Sequence, residues 1–320
     1  MNSKIILKLR FVTKLVWNYS NKHLIELPVI YLKSVIMNGR RNYKGMKMKS
    51  SRRLYRISSL LAMLLTLVQM NGCATNAQSQ GENVIRLFNG EDLTNFYTFI
   101  EDRGVNSDPE SVFTVQNNQI RISGVEWGTL ITEEEYENFQ LILEFRWGGE
   151  TYGDRREKAR DSGVFVHSIG EEGARGGVWM TGIETNIIEG GTGDFIVVGD
   201  GSDKFQVTAL AVEDTANNQI IYDPEGQPVT VNSGRINWWG RSLEWEDVKG
   251  FRSENDVEKP LGEWNRMELI VTGRHITVIL NDVVVNQASQ VRPYRGKIQI
   301  QSEGAEIFFR RIDLIPLAGS

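Results

Sequence analysis

The stretch Thr181-Gly182-Ile183-Glu184-Thr185-Asn186-Ile187-Ile188-Glu189-Gly190-Gly191 holds the densest chemistry in the chain. Extended, it puts Glu184 and Asn186 on one face and Ile183, Thr185 and Ile187 on the other. Glu189 is out of phase, and a bulge near Ile187-Ile188 would return it beside Glu184. Two carboxylates and an amide on one sheet face suit proton transfer on a sugar. Carboxylates on an exposed edge strand are also common, so spacing alone leaves both readings open. A second stretch, Arg160-Asp161-Ser162-Gly163-Val164-Phe165-Val166-His167-Ser168, points Phe165 and His167 one way and Val164 and Val166 the other. His167 is a candidate base, because imidazole titrates near neutral pH. Asp161 is either a substrate-positioning acid or the residue that fixes a turn. Arg146, opposite Leu143 and Phe145, would fork-bind substrate oxygens if its face is the concave one, or else pair with Glu144. Trp179, Trp238 and Trp239 offer rings for the C–H face of a sugar, although tryptophans in such domains are often core.

Several other chemistries lack their residues. No Gly-rich phosphate loop opens a helix, and no Ser nucleophile elbow is present. The chain has one cysteine, Cys73, and three histidines, His23, His167 and His275, so a Cys/His metal cluster is excluded. No role is assigned to His275, which lies beside a turn.

The elements that must position these residues read as strands. Phe139, Leu141, Leu143, Phe145 and Trp147 alternate with Gln140, Ile142, Glu144 and Arg146, the period of a strand with one buried face. Segments 112–116 and 119–123 flank Asn117-Asn118 at hairpin spacing. Segments 161–168, 182–189, 264–271, 275–280 and 283–287 behave similarly, with Gly273-Arg274 and Asn281-Asp282 as turns between the last three. Segments 297–301 and 306–314 close the chain. Region 194–260 has weaker periodicity and reads as strands broken by long loops, which often build sites. Many short strands with Gly-rich turns predict an all-β sandwich of two antiparallel sheets.

Charge divides the chain. Of 36 Lys and Arg, fourteen lie in 1–72 against one acid, Glu26, leaving 22 basic and 40 acidic residues in 73–320. The acidic body argues against a nucleic-acid partner, which requires a basic footprint. Residues 49–72 read as an export signal, with Lys49, Arg52, Arg53 and Arg56 before the apolar run Leu60 to Val68. That run is too short to span a bilayer comfortably. Cys73 follows at once, where a lipoprotein signal places its acylated cysteine, and two acyl-type signals suffice for stable anchoring. Residues 1–48 read as a mis-assigned start or an extended leader, 73–82 as a tether and 83–318 as the domain. The expected location is the bacterial cell envelope, lipid-anchored and facing the periplasm from the outer membrane, with the membrane touched only through the anchor.

Leu87-Phe88-Asn89-Gly90-Glu91-Asp92-Leu93 resembles the opening of the 3-keto-disaccharide hydrolase domain family. In the same order follow Asp161-Ser162-Gly163-Val164-Phe165, then Gly182-Ile183-Glu184 through Glu189. Gly262-Glu263-Trp264-Asn265 leads next to Leu280-Asn281-Asp282, and 296–311, with Gln301 and Phe309-Arg310, resembles the closing strands. The resemblance covers nearly all of 84–316. It implies a concanavalin-like jelly roll and activity on glycosides oxidised to a ketone at carbon 3. Glu184-x-Asn186-x-x-Glu189 is also similar to the Glu-x-Asp-x-x-Glu strand of laminarinase-type glycosidases, but Asn186 replaces the central acid, which counts against ordinary double displacement. Some relatives carry a His near Glu303, and its role does not transfer to the run Gln301-Ser302-Glu303-Gly304.

The expected activity is cleavage of 3-keto-glycosides. Glu184 or His167 would be the base and Glu189 the acid, with Arg146, Asp161, Asn186, Trp179 and Trp239 holding the oligosaccharide or glycoside substrate. No cofactor is required, and a divalent cation on the enolate is permitted by the carboxylates. The rivals are a lectin-like binding module on the same fold and an ordinary glycoside hydrolase.

Overall fold

Along Phe139–Thr151, residues Phe139, Leu141, Leu143, Phe145 and Trp147 are buried, whereas Gln140, Glu144 and Arg146 are partly exposed. The period of two in the sequence therefore survives as one core face and one outer face. The computed structural model describes residues 83–318, together with the backbone of 8–18 and 23–33. In the short N-terminal unit Lys8–Asn18 pairs antiparallel with His23–Lys33. The expected signal at 49–72, Cys73 and the tether 73–82 lie outside the described residues. Among the described residues no helix is long and apolar enough to cross a membrane.

Two antiparallel sheets build the domain as a jelly-roll sandwich. One has eight strands in the order Gly234–Ile236, Phe195–Val198, Thr181–Ile188, Asp161–Ile169, Lys297–Ser302, Gly128–Thr132, Phe96–Ile100 and Gly104–Val105. The other runs Gln219–Tyr222, Gln206–Asp214, Val283–Arg292, His275–Leu280, Asn265–Thr272, Phe139–Thr151, Ala305–Pro316, Gln119–Ile122 and Phe113–Gln116. Strands adjacent in space are thus often distant in sequence. Lys297–Ser302 lies between Asp161–Ile169 and Gly128–Thr132, and this brings late residues to the centre of the first sheet.

Between the sheets, Val164, Val166, Ile183, Ile187, Ile298 and Ile300 meet Phe139, Leu141, Phe145 and Leu269 in one apolar cluster. Each such side chain contributes about 1.5–3 kcal/mol by leaving water. The opposite face of the first sheet carries the polar residues. Cross-strand pairing sets Phe165 against Glu184, Gly163 against Asn186 and Asp161 against Ile188.

Two expectations about phase are corrected here. No bulge interrupts Ile187-Ile188; the register shift falls between Val166 and Ile169 on the neighbouring strand. His167 adopts a left-handed φ of 56° at that irregularity. The residue gains half a turn of phase, so its ring points inward, fully buried, edge-on to Phe139 with centroids 6.2 Å apart.

Candidate active site

At the middle of the first sheet, one row across three strands reads Asn186, Gly163 and Gln301, with Glu184 and Asp161 beside it. Asp161, Glu184, Asn186, Gln299 and Gln301 are all nearly inaccessible to solvent. Gly163 has no side chain because there is no room for one: a Cβ would collide with the Oε1 atoms of both Gln301 and Glu184. The glycine lets these two side chains lie over bare backbone, so they converge from flanking strands.

Arg155, ending the 3-10 turn Gly153–Arg155, is the hub of the acids. It pairs with Asp161, with Glu303 at 3.2 Å and with Asp247 at 2.9 Å. Burial and the charge of Glu303 raise Asp161 well above the ordinary carboxylate range. Burial, followed by repulsion from Glu303 and Asp161, does the same to Glu184. Glu303 is raised as well, chiefly by burial, with Arg155 opposing. Each buried carboxylate therefore makes the others harder to ionise. Among the described residues Glu184 pairs with no cation and accepts no hydrogen bond, so only the more distant charge of Arg235 opposes its raised proton affinity.

A second cluster flanks the first. Asp194 is fully buried and accepts from Arg235 Nη1 at 2.6 Å, from Arg241 and from the Trp238 backbone N–H at 2.8 Å. Arg235 shares the outer face with Glu184, because Glu184 pairs with Ile196 and Ile196 pairs with Arg235. Two strand spacings separate them, roughly 10 Å. On the other side an aromatic wall rises. Trp179 lies 6.1 Å from Phe165 and 6.1 Å from Trp127, tilted by 32° to each. Both indoles are partly exposed and offer surface to a sugar ring.

Three buried oxygens on this face, Asp161 Oδ1, Asn186 Oδ1 and Gln301 Oε1, have no hydrogen-bond partner among the described residues. Buried acceptors left without donors are costly, about 1–3 kcal/mol each, and a ligand rich in hydroxyls would satisfy them. Among the described residues no three His, Cys, Asp or Glu side chains are placed to hold a metal ion.

The family model described as the 3-keto-alpha-glucoside-1,2-lyase-like domain matches residues 83–315, spanning both clusters. The chain belongs to this family. It is accordingly a carbohydrate-active domain of the glycosyl-hydrolase-like kind. No curated protein matches it. Among solved structures it is similar to two candidate glycosyl hydrolases from Parabacteroides distasonis. One is 17% identical, covering 73% of this chain and 94% of that one, with a TM-score of 0.45. The other is 21% identical, covering 73% and 99%, with a TM-score of 0.40. A kappa-carrageenase from Pseudoalteromonas carrageenovora is 10% identical, covers 76% and 98%, and has a TM-score of 0.38.

Within this family member the sequence-derived candidates part company. Glu184, Asp161, Asn186 and Trp179 come together on the outer face of the first sheet. Glu189 does not join them. It follows the end of Thr181–Ile188, and its carboxylate accepts from Arg160 Nη1 at 2.6 Å, the Arg160 backbone N–H at 3.0 Å and the Gly250 N–H at 2.7 Å. Those three donors make it a clamp between Arg160 and the 237–264 segment. His167 faces the core, its Nδ1 2.9 Å from the Pro293 carbonyl, and burial depresses it to about 4. Arg146 lies on the outer face of the other sheet, its guanidinium 4.3 Å from the Phe308 ring and 5.2 Å from Trp264. Trp239 donates to the Val284 carbonyl at 3.0 Å, on a strand of that other sheet. Trp238 is core.

Sequence reasoning missed Arg155, Asp194, Arg235, Arg241, Asp247 and Glu303. Only Glu303 carried a usable signal, since it follows Gln301 by two residues at the end of an expected strand.

Proposed function

We propose that this domain cleaves 3-keto-glycosides by elimination across carbons 1 and 2, followed by addition of water. The observation that carries the reading is the convergence of Asp161, Glu184 and Glu303, all with raised affinity for protons, where Arg155 pairs with Asp161 and Glu303 but not with Glu184. A ketone at carbon 3 acidifies the hydrogen on carbon 2, so a carboxylate can remove it. Asp161 is the base: Arg155 holds Oδ2, while Oδ1 is unpartnered and free to take the proton. Burial strengthens it for that task. The electron pair released from the C2–H bond forms an enolate, which the amide N–H groups of Asn186 and Gln301 stabilise. The enolate then collapses to a C1–C2 double bond as the C1–O bond breaks. Glu184, whose proton affinity is raised by burial, delivers a proton to the departing oxygen. Water adds to the resulting enone to give the free 3-keto sugar. Trp179 and Trp127 pack against the ring during these steps.

This assignment moves the base from Glu184 and His167 to Asp161, and the acid from Glu189 to Glu184. The physical reason is that both carboxylate oxygens of Glu189 are held by Arg160 and Gly250 and that His167 is enclosed in the core. A non-catalytic lectin has no use for three buried carboxyls that repel one another, which favours the enzyme. We also propose, from the charged and apolar pattern of residues 49–73 alone, that the domain is exported by residues 49–72 and anchored in the bacterial cell envelope through lipid on Cys73.

The test is turnover of a 3-keto-glucoside by the purified chain in D2O. Deuterium at carbon 2 of the product and loss of activity in Asp161→Asn, Glu184→Gln and Glu303→Gln are expected. Product free of C2 deuterium, or wild-type rates in all three variants, ends the proposal.

A further inference from the structure

The outer face of the second sheet, turned away from the acids, holds a cavity of about 430 Å³. Its floor forms where alternation along the last strand breaks. Phe309 pairs with Phe145 and Arg311 pairs with Glu144, so Arg310 is the extra residue of a bulge in Ala305–Pro316. A bulge re-aims a side chain. Here it lets two consecutive arginines reach one carboxylate, with Arg310 Nε 2.6 Å and Arg311 Nη1 3.6 Å from Glu144. Arg311 Nε also donates to Asp313 at 2.6 Å, and Arg86 stands across from Asp313 on the strand Ile85–Arg86. The loop from Phe88 to Gly90 and the turn residue Asn118 close the sides.

We propose that this cavity binds a carboxylate or sulfate ester carried on a sugar ring, at a site separate from the reacting centre. Its charges call for one anion. Three guanidiniums line it against two carboxylates, Glu144 and Asp313, and the neighbouring acids Glu91 and Asp92 are not among its walls. With 40 acidic residues against 22 basic ones in 73–320, the surplus of positive charge is local to this spot. The two carboxylates engage the Nε edges of Arg310 and Arg311, and the Trp264 ring, 4.4 Å from the Arg310 guanidinium, fixes its plane. The terminal nitrogens of both arginines make no hydrogen bond among the described residues. Such paired N–H groups match two oxygens of a carboxylate or sulfate at once. Arg86, which is exposed, adds a third fork. The volume exceeds that of a bare ion and lies in the range of small-molecule sites, about 300–1,000 Å³. The amide of Asn118 both donates and accepts, which suits ring hydroxyls. A concave wall also fits one ring better than the flat array of headgroups on a bilayer.

This site is independent of the elimination reading, and its test uses binding alone. Calorimetry on the full chain at low salt compares glucuronate, glucose 6-sulfate and glucose. One or both anions should bind, and glucose should not. Arg86→Glu and Arg311→Gln should each weaken anion binding at least tenfold. Arg295→Gln, which breaks an exposed pair with Glu135 elsewhere, should change it less than twofold. Arg86 is exposed, so its variant should keep the wild-type melting transition. No binding of either anion, equal binding of glucose, or affinity unchanged in both cavity variants overturns the site. Flotation with phosphatidylglycerol vesicles covers the other source of anions. Capture that Arg86→Glu abolishes, with neither acidic sugar bound, would put a lipid headgroup in the cavity and overturn the saccharide.

Discussion

Replacing Glu189 by Gln separates a clamp from a catalyst. The Arg160–Glu189 pair is 2.6 Å long, with side chains only 5% and 6% exposed. The glutamine keeps a carbonyl for the Arg160 and Gly250 backbone N–H groups but removes the one carboxylate that, among the described residues, pairs with the buried guanidinium. Breaking such a pair costs about 3–5 kcal/mol, because one charge stays buried and uncompensated. For a domain of this size that corresponds to a fall in Tm of roughly 6–20 °C. Urea melts and thermal scans give the stability change, and turnover of a 3-keto-glucoside well below the transition gives the chemistry. A clamp predicts a large stability loss with activity retained within a few-fold at low temperature. The double variant Arg160→Met, Glu189→Leu should recover part of the stability, because no charge is then stranded. A stability change under about 1 kcal/mol together with abolished turnover would refute the reasoning and return Glu189 to the reaction.

Glu184→Gln should slow methyl 3-keto-glucoside by about 10²–10⁴-fold but 4-nitrophenyl 3-keto-glucoside far less, since only a poor leaving group needs the proton. The wild-type rate should fall as pH rises through the elevated titration of Glu184, and that alkaline limb should vanish in the variant. His167 titrates at about 4 when folded and 6.5 otherwise, so the unfolded chain binds the extra proton. Its contribution is complete above pH 6.5 and disappears as pH falls toward 4, about 3 kcal/mol across the window, and His167→Phe should flatten urea midpoints there. Glu258 has the opposite sign: raised from 4.5 to about 8 by burial, it lowers stability as pH climbs through that range, and Glu258→Gln should remove the decline. Gly163→Ala should abolish turnover while leaving the melting transition within a few degrees, because its methyl displaces Glu184 and Gln301 rather than core atoms.

The sandwich itself was legible. Asn117 and Asn118 both adopt left-handed φ, 51° and 57°, in the turn joining Phe113–Gln116 to Gln119–Ile122, and Asn281 and Asp282 do so between the next expected pair. Alternation placed Glu184 and Asn186 on one surface. It failed at His167, where a single left-handed residue reversed the phase, and composition gives no warning of that. Arg146 shows a different limit. Alternation says which residues face outward, but a sandwich has two outward faces, and local pattern does not distinguish them. Arg155 and Asp247 were invisible for a third reason: both meet their partners through tertiary contacts between loops, and no period runs through a loop.

Asp161, Glu303 and Asp247 come from three separate stretches of chain and meet only at Arg155. Glu303 lies 148 residues beyond Arg155, so nothing short of the closed sandwich can assemble them. A chain with its last strands undocked carries every one of these residues but not their cluster. The candidate centre is therefore a property of the closed sandwich and of no local segment of the chain.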